Sequence, residues 1–228
     1  MASAARPSLV LSPPSFHPSV DVFHQTPQYH RKAVVRQDPK KEVAVRRVIA
    51  SELVTLDGVI EAPETWHLPY FNDEMGEAIG AAMADSDAML FGRVTYEEFA
   101  AFWPSQGGED QEFADYMNNT PKFVVSKTLE EPLEWTNSTL IKGDVAEEIT
   151  RLKQQPGKDI SITGSPTLVR SLLQEDLLDE LRLMVHPIVV GSGKRLFEDR
   201  SDQKVLELVD SKTFSTGVLY LTYQPAQS

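Results

Sequence analysis

Apolar residues in this chain fall into short runs separated by longer amphipathic stretches, and the alternation begins abruptly near Val45. Positions 47–54 read as a first strand, ended by a loop at Leu56-Asp57-Gly58. Asn72 or Asp73 is placed to cap a helix reaching about residue 85, with Met75, Ile79, Ala82 and Met83 on one face. A second strand is predicted over 87–92. A helix over 95–102 follows, stopped by Trp103-Pro104, and then a short helix over 110–118. Strands at 122–126 and 139–142 precede a helix that Asp144 caps and Pro156-Gly157 ends. A strand over 159–163 feeds a helix over 166–175, and further strands are predicted at 180–187 and 205–209. Strict alternation across 214–223 predicts that the sheet closes with an antiparallel edge hairpin. Repeated strand–helix units of this kind imply an α/β domain with a mixed, mainly parallel sheet flanked by helices.

The first 44 residues do not share this pattern. Pro7, Pro13, Pro14, Pro18, Pro27 and Pro39 interrupt any regular element, and the composition predicts a disordered extension ahead of a folded domain at 45–228. Its Ser- and Arg-bearing, acid-poor character leaves an organelle-targeting leader as the alternative to a cytoplasmic protein. The charge is divided in the same place. Residues 1–47 carry eight Lys/Arg against three acids, and the remainder carries 14 against 31, within a net charge of −12. An acidic body argues against a nucleic-acid surface. The absence of cysteine excludes disulfides, thiolate metal sites and cysteine nucleophiles. No apolar run has the length of a membrane span.

Three strand–turn junctions carry the candidate chemistry. At Gly92-Arg93-Val94-Thr95, a strand stops at a glycine and an arginine and a threonine open a helix. That combines close backbone approach, free helix N–H groups and a planar cationic fork, which together suit a phosphate. Ser126-Lys127-Thr128 and Thr163-Gly164-Ser165 repeat the arrangement in outline, so three strand ends converging on one ligand imply a dinucleotide. Gly191-Ser192-Gly193-Lys194 lacks phosphate-loop spacing and reads as a tight surface loop. The histidines show no metal-ligand spacing, and His186 before Pro187 reads as a packed strand-end residue.

With these residues in place, the chain resembles the dihydrofolate-reductase-like fold, and within it the stand-alone relatives of the RibD C-terminal reductase domain of riboflavin synthesis. The carriers run from about Arg46 to Tyr223: Leu53-Val54-Thr55-Leu56-Asp57-Gly58, Phe91-Gly92-Arg93-Val94-Thr95-Tyr96, Val125-Ser126-Lys127-Thr128, Thr163-Gly164-Ser165 and Pro187-Ile188-Val189-Val190-Gly191-Ser192-Gly193. The resemblance implies NADPH across the carboxyl ends of the strands. Gly92, Arg93 and Thr95 would hold one side of the pyrophosphate and the adenosine, and Gly164 and Ser165 the other side of the pyrophosphate. Ser126, Lys127 and Thr128 would approach the 2′-phosphate. Thr55 and Leu56 would border the nicotinamide beneath a mobile Asp57-Gly58 flap. Candidate proton donors are Asp57 first and Glu61 second, with Trp66 lining the substrate pocket. Trp66-His67-Leu68-Pro69 is similar to a dihydrofolate reductase run, but the pterin-binding carboxylate position falls on Phe71. The expected activity is hydride transfer to a C=N or C=O bond of a small heterocyclic or sugar-derived molecule, by a homodimer. A weak dihydrofolate reductase and a non-catalytic nucleotide-binding relative are the alternatives.

Overall fold

The computed structural model describes residues 45–108, 111–198 and 203–226. The expected N-terminal extension lies outside the described residues. An eight-stranded sheet organises the chain: β1 (Val48–Thr55), β2 (Ser86–Gly92), β3 (Lys122–Val125), β4 (Ser138–Ile141), β5 (Asp159–Ile162), β6 (Glu180–His186), β7 (Leu206–Thr213) and β8 (Leu219–Pro225). Their spatial order is β4-β3-β2-β5-β1-β6-β8-β7. The first six strands are mutually parallel, and β8 and β7 complete the sheet antiparallel. The helices are α1 (Asp73–Ala84), α2 (Arg93–Phe102), α3 (Gln111–Asn119), α4 (Val145–Lys153) and α5 (Pro166–Gln174).

Caps set the helix starts. The Asn72 side chain accepts the Met75 N–H at α1, and Asp144 accepts the Glu147 N–H at α4. Such caps contribute about 1 kcal/mol each. Beneath α4 and α5, Ile149, Leu152, Leu168, Val169 and Leu172 pack on Val48, Ala50, Leu90, Ile160 and Ile162 of the central strands. On the other face, Tyr96 and Met117 from α2 and α3 meet Phe91, Val124 and Trp135, while Met75 of α1 meets Met184, Phe214 and Val218. A fully buried side chain of this size contributes about 1.5–3 kcal/mol. The result is a three-layer α/β/α domain.

Two sequence expectations shift. Residues 214–218 form the hairpin turn rather than a strand start: the Phe214 N–H bonds the Val218 carbonyl, and Gly217 sits at φ 85°. β8 therefore lies inside the sheet and β7 at its edge. β7 also continues through Asp210-Ser211-Lys212-Thr213, a polar stretch without strand character. An exposed edge strand has no core demanding apolar residues of it.

Candidate functional site

A parallel sheet exposes its functional rim where the strands end at their carboxyl termini. Here β2 ends at Gly92, which pairs with Val125 at the end of β3, and β5 leads to Thr163-Gly164-Ser165 on the other side of β2. The Ser165 hydroxyl accepts the Gly92 N–H at 2.9 Å and donates to Thr95 Oγ1 at 2.8 Å, locking the two strand–helix junctions together. Ser165 itself is left-handed (φ 60°), and Gly164 beside it has φ 70°. A Cβ on Gly164 would come within 3.2 Å of the Thr95 side chain, so glycine is needed for both conformation and space.

These junctions form one wall of a cleft of about 580 Å³, within the range of small-molecule sites. Neither α2 nor α5 is capped by a side chain, so both N-termini face the cleft with uncompensated dipoles. Arg93 lines the mouth, half-exposed and paired with Glu97 at 2.7 Å. The opposite wall is Ile60, Glu61, Ala62 and Pro63, with Lys194 above them. Glu61 accepts the Lys194 N–H at 3.2 Å, and Ile60 donates to the Lys194 carbonyl.

The structure thus brings Gly92, Arg93, Thr95, Gly164, Ser165 and Glu61 to one cleft. Ser126 and its neighbours stand one strand further out. The buried Ser126 hydroxyl accepts the Thr128 and Leu129 N–H groups, closing a turn that presents Lys127 and Thr128 to solvent. Thr55 and Leu56 do not line the cleft; β1 meets it earlier, at Glu52 and Leu53. Thr55 is spent locally, donating to Asp57 and accepting the Val59 N–H, while Leu56 is exposed.

Asp57 requires a correction as proton donor. Its carboxylate accepts from the Thr55 hydroxyl at 2.7 Å and from the Val190 and Gly191 N–H groups, which lowers its pKa to about 2. A group held ionised by three donors has no proton to give near neutrality. It clasps the 187–191 loop instead, and the Arg195 guanidinium reinforces this by donating to the Asp57 carbonyl. The expected mobile flap is tied at several points, and Gly191-Ser192-Gly193 is the tight loop its sequence implies.

Trp66 is buried outside the cleft. Its indole N–H bonds the Glu61 carbonyl at 3.0 Å and its ring meets His186 edge-on at 5.0 Å. His67 and Tyr70 complete this aromatic group. Burial lowers the pKa of both histidines, and the proximity of His186 adds to the effect at His67. Glu74, near the missing carboxylate position, accepts the Ser215 N–H and hydroxyl and so ties α1 to the hairpin turn. Asp179 and Glu180 form ion pairs with Lys153 and Arg47.

Sequence reasoning missed a buried carboxylate of the cleft. Glu52 stands in the middle of β1, 3% exposed, and lines the cleft. Its Oε2 accepts the Gly164 N–H at 3.1 Å, while Oε1 is buried without a partner. Burial pushes the carboxyl well above its ordinary range. The available signal was a carboxylate inside a strand that is otherwise apolar on the same face.

Across residues 46–220 the sequence matches the model of the RibD C-terminal domain. The chain belongs to the RibD C-terminal domain family. A relative within reach is YyaP of Bacillus subtilis (strain 168), an uncharacterised protein, 32% identical over 183 residues that cover 78% of this chain and 94% of YyaP. Among solved structures, a protein assigned to riboflavin biosynthesis from Shewanella sp. PV-4 superposes with a TM-score of 0.65 at 22% identity, covering 79% of this chain and 99% of its own. Dihydrofolate reductase from Enterococcus faecalis, complexed with NADP(H), gives 0.53 at 17% identity over 79% of this chain and 97% of that one. The RibD C-terminal domain family and the dihydrofolate-reductase-like fold therefore both hold for this chain. Among the described residues no group of acids and histidines is arranged for a metal, and no helix is long and apolar enough to cross a membrane.

Proposed function

We propose that this protein is an NADPH-dependent oxidoreductase that delivers hydride to a C=N or C=O bond of a small heterocyclic or sugar-derived molecule, in the manner of the uracil reductase of riboflavin synthesis. The observation that carries this reading is the junction of two uncapped helix N-termini, bolted together by Ser165 on the rim of a cleft of about 580 Å³. Backbone N–H groups at the starts of α2 and α5 would hold the pyrophosphate, with Arg93 across it. Lys127, on the turn built by Ser126, is the cation suited to the 2′-phosphate. When bound, the cofactor supplies the hydride. The chain's part is to orient it, exclude water and manage the proton.

The site has an opening for the reactive end. β1 pairs with β5 only from Val48 to Ala50, whereas it pairs with β6 as far as Thr55. β5 ends at Ile162, opposite Ala50, and Glu52 and Leu53 line the gap beyond it. A flat, weakly polar ring suits such an opening better than a phosphate does.

Titration with NADPH and NADH, followed by quenching of the emission of Trp66, Trp103 and Trp135, tests the assignment. Micromolar NADPH binding at least tenfold tighter than NADH (about 1.4 kcal/mol) is the expected result. Arg93→Ala should weaken NADPH by roughly tenfold, the scale of one charge-assisted hydrogen bond. Absence of binding by either nucleotide overturns the reading. Turnover with dihydrofolate and with ribosylaminopyrimidine substrates then separates the reductase from a silent nucleotide-binding relative.

A further inference from the structure

Among the buried side-chain atoms of the residues that line the cleft, one lacks a hydrogen-bond partner. Ser165 and Thr95 satisfy each other and Gly92, while Arg93 is paired with Glu97 and Lys194 with Glu61 at the mouth. Glu52 alone keeps a buried oxygen unpartnered, at the point where β1 leaves β5. It shares the face of Val48 and Ala50, packed toward α5, with the Gly164 backbone as its single polar contact. The charged residues lining the cleft are Arg93, Glu61, Glu98 and Lys194, and none of them acts on its ionisation, which burial alone opposes. With Oε2 accepting an N–H, a proton on this carboxyl would sit on Oε1.

We propose that Glu52 is the proton store of the reduction, holding its proton while the nicotinamide is reduced and releasing it as the ring becomes cationic. This rests on the cofactor reading given above. The chemistry balances without a further reactant. Reduction of a C=N or C=O bond consumes one hydride at carbon and one proton at the heteroatom. Glu52 Oε1 gives up the proton, and the heteroatom takes it. The carboxylate left behind is paired with the positive charge that hydride loss creates on the ring. An opposite charge at close range favours the ionised carboxyl, so the release is driven by the same event that requires it. Once the oxidised cofactor leaves, solvent returns the proton.

The test compares NADP+ and NADPH binding to the full chain between pH 5.5 and 9. Dissociation constants come from tryptophan quenching, and proton release comes from calorimetry in two buffers of different ionisation enthalpy. The ratio of the two constants cancels titration of the phosphates that both nucleotides share. As the pH rises, the expected ratio shifts toward NADP+ by up to about tenfold per pH unit, with up to one more proton released on binding NADP+ than on binding NADPH. In Glu52→Gln, which keeps an acceptor for Gly164, the ratio should be flat and NADP+ weakened. A flat ratio in the wild type, or a pH-dependent ratio that survives Glu52→Gln, overturns the proposal while leaving the cofactor assignment standing. Failure of both nucleotides to bind removes both, and is distinct from either result.

Discussion

At the scale of single residues, the decisive features are polar groups with nowhere obvious to go. Lys122 is fully buried in β3, yet its ammonium donates to the carbonyls of Asn118, Thr120 and Thr136 and lies 4.4 Å over the Trp135 ring. Burial pulls its pKa down to about 8, still leaving it mostly charged at neutral pH. One side chain therefore serves three carbonyls, sharing that of Asn118 with the Asn137 amide. Lys122→Met should cost about 2–4 kcal/mol, read as a lower denaturation midpoint at unchanged slope. Asp57 is the opposite case, a carboxylate kept charged by its donors. Its folded pKa of about 2 lies below the ordinary 3.8, so its hold on the 187–191 loop is complete above the ordinary value. That hold is lost as the pH falls through about 2. The Val190 and Gly191 amide resonances should titrate near 2 rather than near 4, and Asp57→Ala should abolish that transition.

At the scale of elements, most of the architecture was legible because strand and helix periods differ and the caps are explicit. Asn72 and Asp144 start their helices where the sequence places them, and Pro166 opens α5 as its φ angle favours. The glycine-bearing junctions at Gly92 and Gly164 were legible for the same reason, since only a few residue types suit a close backbone approach. What escaped was tertiary in origin. Glu52 gains its meaning from Gly164, 112 positions away, and no local pattern connects them. Thr55 and Leu56 fall beyond the cleft because β5 ends opposite Ala50 while β1 runs on beside β6 to Thr55, a register that one strand's sequence does not encode. The Asp57-Gly58 turn looked mobile because its partners, Val190 and Gly191, lie in a distant loop. With Asp57→Ala, limited proteolysis should cut faster within 187–195, and the global unfolding midpoint should change little.

At the scale of the whole molecule, the antiparallel margin stands out. β7 is exposed along nearly its whole length, with Leu208 and Val209 half in solvent and a register shift between Leu208 and Asp210. Charged edge residues and a bulge discourage open-ended pairing, whereas a two-fold partner would cover the apolar ones. The homodimer we propose uses this margin. Sedimentation equilibrium should give twice the 25.5 kDa chain mass, and the double substitution Leu208→Lys, Val209→Glu should return the monomer with binding at the cleft retained.

The early end of the β1–β5 ladder has a mechanical meaning too. Three paired positions stitch the leaf β4-β3-β2-β5 to the leaf β1-β6-β8-β7, as few as between β2 and β5 and against seven between β1 and β6. Apolar packing spans the joint, with Leu168, Val169 and Leu172 across Ile160 and Ile162 on one side of the seam and Val48 and Ala50 on the other, and ion pairs from Arg46 to Asp87 and from Arg47 to Asp159 back it at one end. Such a joint weakens on cooling as well as on heating, because apolar contact loses strength at low temperature while ladder bonds do not. Amide exchange should show the two leaves as separate protection units, with the hydrogen bond from Gly164 to Glu52 as the clasp at the open end of the seam.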